Sequence, residues 1–131
     1  MTTIAYDGET LAVDSQITGS YVEYGTKMFE EEGVFVTFCG EYGVALTMVQ
    51  EYFDGEITAR ENDTSLVVLK DGILFELLAA GHLIPVDAPY AAGSGGPFAM
   101  GAMRAGASAD QAVEIAIELD PHSGGDVQVN K

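Results

Sequence analysis

Positive charge is nearly absent from this chain. Five Lys and Arg stand against 21 Asp and Glu in 131 residues, a formal net charge of −16. A molecule wrapped in that field repels phosphate backbones, so nucleic acid is not expected as a partner. Cysteine is scarcer still. Cys39, the only one, can form neither an internal disulfide nor a cysteine zinc cluster, which points to a reducing, cytoplasmic location. No apolar run approaches the ~20 residues that cross a bilayer, and no positively charged start leads into an apolar stretch; neither a membrane span nor a targeting segment is expected. His82 and His122 stand far apart without ligand spacing, so no metal or other cofactor is expected. Internal repeats and low-complexity tracts are also missing.

What the chain does have is core-forming material. Apolar residues make up 47% of it, enough for a single domain spanning 1–131. A chain so acidic and yet so apolar suits a protein whose subunits cover one another, but a salty cytoplasm or plain solubility accounts for acidity equally well.

"TTIAY" and "TLAVD" read as strands joined by the turn "DGE". "ITGSYVEYGTKMF" continues extended, and the glutamates 30–32 before Gly33 form a solvated turn. "VFVTFCG" is almost wholly apolar and is expected at the sheet centre, buried on both faces. Ala45, Met48, Val49, Tyr52 and Phe53 then recur at helical spacing until Asp54 and Gly55 end the helix. "EITARENDT" is a polar loop, "SLVVLK-DG-ILFELLAA" a second hairpin, and "HLIPVD" an edge strand marked by Pro85. Pro97 opens a helix whose inward face is expected at Phe98, Ala102, Met103 and Gly106. Ser108 and Gln111 form a capping box for another, with Ala112, Ile115, Ala116 and Leu119 as its stripe, and Pro121 stops it. "DVQVNK" closes as a short strand. Strands, a helix, strands, two helices and a strand make an α+β protein, with helices packed on antiparallel sheets.

Few of these residues carry chemistry on their own. "GSGG" lacks the Lys-Ser/Thr ending of a phosphate loop. Cys39 in an apolar strand reads as an inert core thiol. Lys27, one of three lysines, lies between apolar neighbours in "YGTKMF"; buried, it needs a carboxylate, and Asp14 at the end of "LAVD" is the candidate partner. A purely structural pair would account for both.

"TTIAYDG", "LAVDSQIT", the lysine ahead of "VFVTFCG", "AAGSGGPFA" and "LDPHSGGDVQV" follow the order and approximate spacing of the proteasome β-subunits and HslV-type proteases. The chain resembles these N-terminal nucleophile (Ntn) threonine hydrolases from Thr2 to its end. The resemblance implies their αββα four-layer sandwich of antiparallel sheets and a threonine-type endopeptidase. Thr2, freed by removal of Met1, matches the nucleophile, and its α-amine, with a pKa of about 7.7–8.0, the base. Lys27 and Asp14 match the pair that assists hydroxyl ionisation. Gly40 matches the backbone amide facing the oxyanion, and Ser94, Asp120 and Ser123 the residues hydrogen-bonded around the threonine. Phe38 and Tyr42 match positions lining the pocket for the residue before the scissile bond, although both suit a core equally well. The implied partners are peptide or unfolded protein substrates, identical subunits in a closed ring, and an ATP-driven unfoldase.

Two departures accompany the likeness. Such subunits carry two helices after the strand ending at Gly40; here "EITARENDT" follows one helix and cannot supply a second. A retained Met1 would bury the Thr2 nitrogen in an amide and remove the base. Because no propeptide is seen and Thr2 is small, methionine aminopeptidase is expected to create the site. An amidase or peptide ligase acting on a small substrate, or a non-catalytic shell subunit retaining Met1, are the other readings of the same motifs.

Overall fold

The computed structural model describes residues 2–19, 21–56, 64–78 and 81–131. In chain order the strands are β1 (Ile4–Tyr6), β2 (Leu11–Val13), β3 (Gln16–Thr18), β4 (Val22–Tyr24), β5 (Phe29–Glu31) and β6 (Val34–Cys39). Helix α1 (Tyr42–Phe53) precedes β7 (Ser65–Lys70), β8 (Ile73–Leu77), β9 (Leu83–Val86) and β10 (Tyr90–Ala92). Helices α2 (Gly96–Arg104) and α3 (Ala109–Leu119) and strand β11 (Gln128–Val129) complete the order.

Strand alternation builds the layers. In the sheet ordered β10-β1-β2-β11, Ile4, Tyr6, Leu11 and Val13 face inward, where they pack against Val67, Leu69 and Leu74 of the second sheet. The intervening Ala5 and Ala12 face the opposite way and meet α2 and α3 through Ala99, Met103, Ala109, Ala112, Val113 and Ala116. In the second sheet, ordered β5-β6-β7-β8-β9, Val36, Phe38, Leu66 and Val68 pack beneath Ala45, Met48 and Val49 of α1. The result is helix, sheet, sheet, helix: the α+β four-layer αββα sandwich of antiparallel sheets. Among the described residues one helix, α1, covers the outer face of the second sheet.

Local signals set the boundaries. Glu41 caps α1 by accepting from the amides of Gly43 (3.1 Å) and Val44 (2.8 Å). Gln111 Oε1 accepts from the Ser108 amide at 3.1 Å and starts α3. Asp7 holds the first hairpin turn through the Glu9 and Thr10 amides, and its second oxygen takes the Ala109 amide at 2.8 Å, fastening the turn to the α3 N-terminus. These bonds outweigh the cost of burial and hold its carboxyl below the usual range.

Four expectations need correcting. The centre of the five-stranded sheet is β7; β6 lies one place from the edge, because β5 pairs outside it. β10 was not foreseen, yet it supplies the fourth strand beside β1. On α2 the inward residues are Ala99 and Met103, and Phe98 is exposed; on α3 they are Ala112, Val113 and Ala116, with Ile115 and Leu119 exposed. Close approach of two helices to an alanine-faced sheet selects short side chains over the longer ones at the same period. Met1, residues 57–63 of "EITARENDT" and residues 79–80 of "ILFELLAA" lie outside the described residues. No helix among those described is long and apolar enough to cross a membrane.

Candidate active site

Antiparallel connectivity delivers the candidate residues to one end of the sandwich. β1 leads away from Thr2, and β2 returns to finish beside Asp14; β10, antiparallel to β1, runs back into Gly93 and Ser94. β11, antiparallel to β2, begins after the loop carrying Asp120 and Ser123. In the second sheet β5 starts just after Lys27, and β6 comes back to Gly40.

One group of bonds addresses the Thr2 hydroxyl. Lys27 Nζ lies 3.3 Å from Thr2 Oγ1 and 3.1 Å from Asp14 Oδ1, and the Lys27 and Asp14 side chains are 2% and 0% exposed. Such a pair is tolerable only with further donors on the carboxylate. Asp14 has them: the amides of Thr3 (3.0 Å), Gln16 (3.3 Å) and Gly124 (3.1 Å). Burial draws the Lys27 ammonium below an ordinary lysine value, opposed by the charge and hydrogen bond of Asp14. The backbone carrying Lys27 is clamped by Gln128, whose Oε1 accepts from the Lys27 and Met28 amides at 2.8 and 3.0 Å and whose Nε2 donates to Gly25 O at 2.9 Å.

A second group addresses the Thr2 nitrogen. Thr2 N donates to Ser94 Oγ at 3.2 Å, and Ser94 Oγ donates to Asp120 Oδ2 at 2.7 Å. Ser123 Oγ donates to the same carboxylate oxygen at 2.7 Å and lies 2.7 Å from Thr3 Oγ1, while the His122 amide reaches Asp120 Oδ1 at 3.1 Å. Burial works against the charge on Asp120, but the two hydroxyls and the amide outweigh it and hold the carboxyl below the usual range.

A cavity of about 240 Å³ opens onto Thr2 and Lys27, with Gly40, Ile17, Phe38 and Tyr42 in its wall. Phe38 serves as both core and wall: it is 1% exposed, packs with α1, and its ring centroid lies 5.7 Å from that of Tyr42. Tyr42 is fixed by donating its hydroxyl to Thr26 O at 3.0 Å. Gly40 has φ +123°, and a Cβ there would stand 2.6 Å from Thr64 Cα; only glycine fits this turn at the cavity wall.

All the candidate site residues therefore meet here: Thr2, Lys27, Asp14, Ser94, Asp120 and Ser123 in one hydrogen-bonded assembly, with Gly40, Phe38 and Tyr42 at the cavity. Cys39 does not join as a nucleophile. Its thiol is pushed up to about 12, chiefly by burial, with the Lys27 charge opposing. Two residues went unread in the sequence: Thr3, hidden as the second half of a doublet suited to any strand, and Gln128, one polar residue in the short strand "VQV".

No protein-family model matches the sequence, and no curated protein matches it. Solved structures do. Thiobacillus denitrificans BPH superposes with a TM-score of 0.75 at 20% identity, covering 98% of this chain and 95% of its own. The same protein in complex with epoxomicin gives the same values. Eukaryotic HslV from Trypanosoma brucei superposes with a TM-score of 0.75 at 24% identity, covering 98% and 97%. The chain has the fold of these proteins over almost its whole length.

Proposed function

We propose that this protein is a threonine endopeptidase of the HslV and proteasome type, with Thr2 as its nucleophile once Met1 is removed. The observation that carries the reading is the Thr2–Lys27–Asp14 line, with contacts of 3.3 and 3.1 Å inside the protein and a cavity in front of it. A hydroxyl facing a buried ammonium is poised to ionise, because the alkoxide is stabilised where it forms. The fold shared with HslV and with a protein solved bound to epoxomicin supports the assignment.

In this reading the Thr2 hydroxyl attacks the scissile carbonyl and its proton passes to the α-amine of the same residue. Lys27, held charged by Asp14, stabilises the developing alkoxide and lowers the proton affinity of the amine. The Gly40 amide faces the oxyanion, and the leaving amine takes the proton back from the α-amine. Water then hydrolyses the Thr2 ester by the reverse proton path, leaving the free hydroxyl and the product acid. Ser94, Asp120 and Ser123 keep the amine in place. Ile17, Phe38 and Tyr42 give the pocket an apolar wall suited to an apolar side chain before the scissile bond. The same reading includes a closed ring of identical subunits fed by an ATP-driven unfoldase; Tyr21, Val22 and Tyr24, 70%, 51% and 63% exposed, form an apolar surface of the kind a neighbouring subunit covers.

Intact mass before and after incubation with epoxomicin tests the reading. Loss of Met1 followed by one stoichiometric adduct is the expected result, and turnover of fluorogenic peptides should disappear in Thr2→Ala. A processed protein with neither adduct nor turnover would overturn it, and a mass retaining Met1 would favour a non-catalytic shell subunit.

A further inference from the structure

Thr3 is fully buried, and its two polar groups reach different parts of the site. Its amide donates to Asp14 Oδ1 at 3.0 Å, on the lysine side, and its hydroxyl lies 2.7 Å from Ser123 Oγ, on the Asp120 side. The direction of the second bond follows from counting protons. A serine hydroxyl has one proton, and that of Ser123 goes to Asp120 Oδ2, an oxygen that can only accept while ionised. Thr3 is therefore the donor. A continuous sequence results: Thr3 Oγ1 to Ser123 Oγ to Asp120 Oδ2, with Ser94 Oγ donating to the same oxygen and receiving Thr2 N. Gly95 leaves the room this hydroxyl occupies, since a Cβ at Gly95 would stand 1.8 Å from Thr3 Oγ1.

We propose that Thr3 is a positioning residue for the reaction assigned to Thr2, its hydroxyl setting how strongly Asp120 draws, through Ser94, on the proton of the Thr2 amine. This rests on the threonine-peptidase reading for its catalytic consequence, but not for its effect on the amine. Without the Thr3 hydroxyl, Ser123 Oγ loses the donation that polarises it, its own bond to Asp120 weakens, and more negative charge remains on Asp120. The Ser94 bond then carries more of that charge, and the amine holds its proton more tightly. Among the described residues, the other charged groups that face Thr2 are Lys27, its partner Asp14 and, across the cavity, Glu41; the Thr3 hydroxyl, which bonds to Ser123, is bonded to none of them.

The test uses the full chain with Met1 removed, as wild type and as Thr3→Val, Thr3→Ser and Ser123→Ala. Thr3→Val keeps shape and β-branching but loses the donor; Thr3→Ser keeps the donor. The first readout is the pKa of the Thr2 amine, followed by NMR on protein isotope-labelled at threonine, which needs no activity. Thr3→Val should raise it by about half a unit, Thr3→Ser should leave it at the wild-type value, and adding Thr3→Val to Ser123→Ala should move it no further. The second readout is peptide turnover: kcat falls about tenfold in Thr3→Val, as for loss of an outer hydrogen-bond partner, its acid limb moves to higher pH, and KM holds. An unmoved amine pKa in Thr3→Val, or Thr3→Ser as impaired as Thr3→Val, would overturn the role of the hydroxyl. If Thr3→Val does not fold, Thr3→Ser and Ser123→Ala decide, a wild-type amine pKa in Ser123→Ala overturning the coupling. Absence of turnover in the wild type counts against the peptidase reading, while the amine titration still judges Thr3.

Discussion

Asp14 and Asp120 are both buried carboxylates that reach Thr2 through one intermediary, yet their surroundings differ in kind. Asp14 faces an ammonium and receives backbone amides from Thr3, Gln16 and Gly124; Asp120 faces two hydroxyls and one amide. The first centre balances charge with charge and directs a cation at the Thr2 oxygen. The second disperses charge into neutral donors and directs a hydroxyl at the Thr2 nitrogen. In the proposed reaction Thr2 serves as both nucleophile and base, and that double role needs this division. A full positive charge beside the oxygen favours the alkoxide, while a neutral contact at the nitrogen leaves its lone pair able to accept a proton.

The strongest way to break that comparison is to remove the cation. Lys27→Met should lower kcat for a fluorogenic peptide about 10³-fold while the fold survives, because Asp14 keeps its amide donors; comparable turnover in the variant would refute the role of the charge. Asp14→Asn reverses the asymmetry by leaving the ammonium buried without its carboxylate. Its unfolding free energy in urea should fall by about 3–5 kcal/mol, and a smaller loss than in Lys27→Met would contradict the picture. On the nitrogen side Ser94→Ala should cost about 10- to 100-fold in kcat with little change in KM, checked by initial rates across substrate concentration.

The smallest effect concerns acid stability. The carboxyls of Asp7 and Asp120 lie below their unfolded values, so between the folded and unfolded pKa the unfolded chain binds more protons. Their contribution is present above the ordinary carboxylate range near ~4 and is lost as pH falls through the lowered folded values. The stability difference between wild type and Asp120→Asn should therefore shrink on acidification below about pH 4; a difference constant from pH 6 to pH 2 would show that the charge plays no part.

Much of the architecture was legible because its causes are local. Alternation in "TTIAY" and "LAV", the helical period from Ala45 to Phe53, the capping box at Ser108 and the turns at Asp7–Gly8 and Asp71–Gly72 each act over a few residues. The failures share one cause as well. Phe98, Ile115 and Leu119 fit the helical period but point outward, because the facing sheet offers Ala5 and Ala12 and admits only short partners. "YAA" has too few residues to signal a strand and becomes one only beside β1.

The site divides the same way. Lys27 stood out because a lone lysine among apolar neighbours requires an acid, and the requirement is written in the residue's own chemistry. No local rule could say that Gln128 would hold the lysine's backbone from 101 positions away, or that Thr3 would meet Ser123 across 120. By itself the sequence determined which faces are apolar, where the elements start and stop, and that Lys27 must have a partner, since these follow from side-chain period, capping and charge. Tertiary structure alone decided which strand ends coincide and hence which hydroxyl donates to which. A hydrogen bond is a matter of tenths of an ångström between atoms that only the packed sheets bring together.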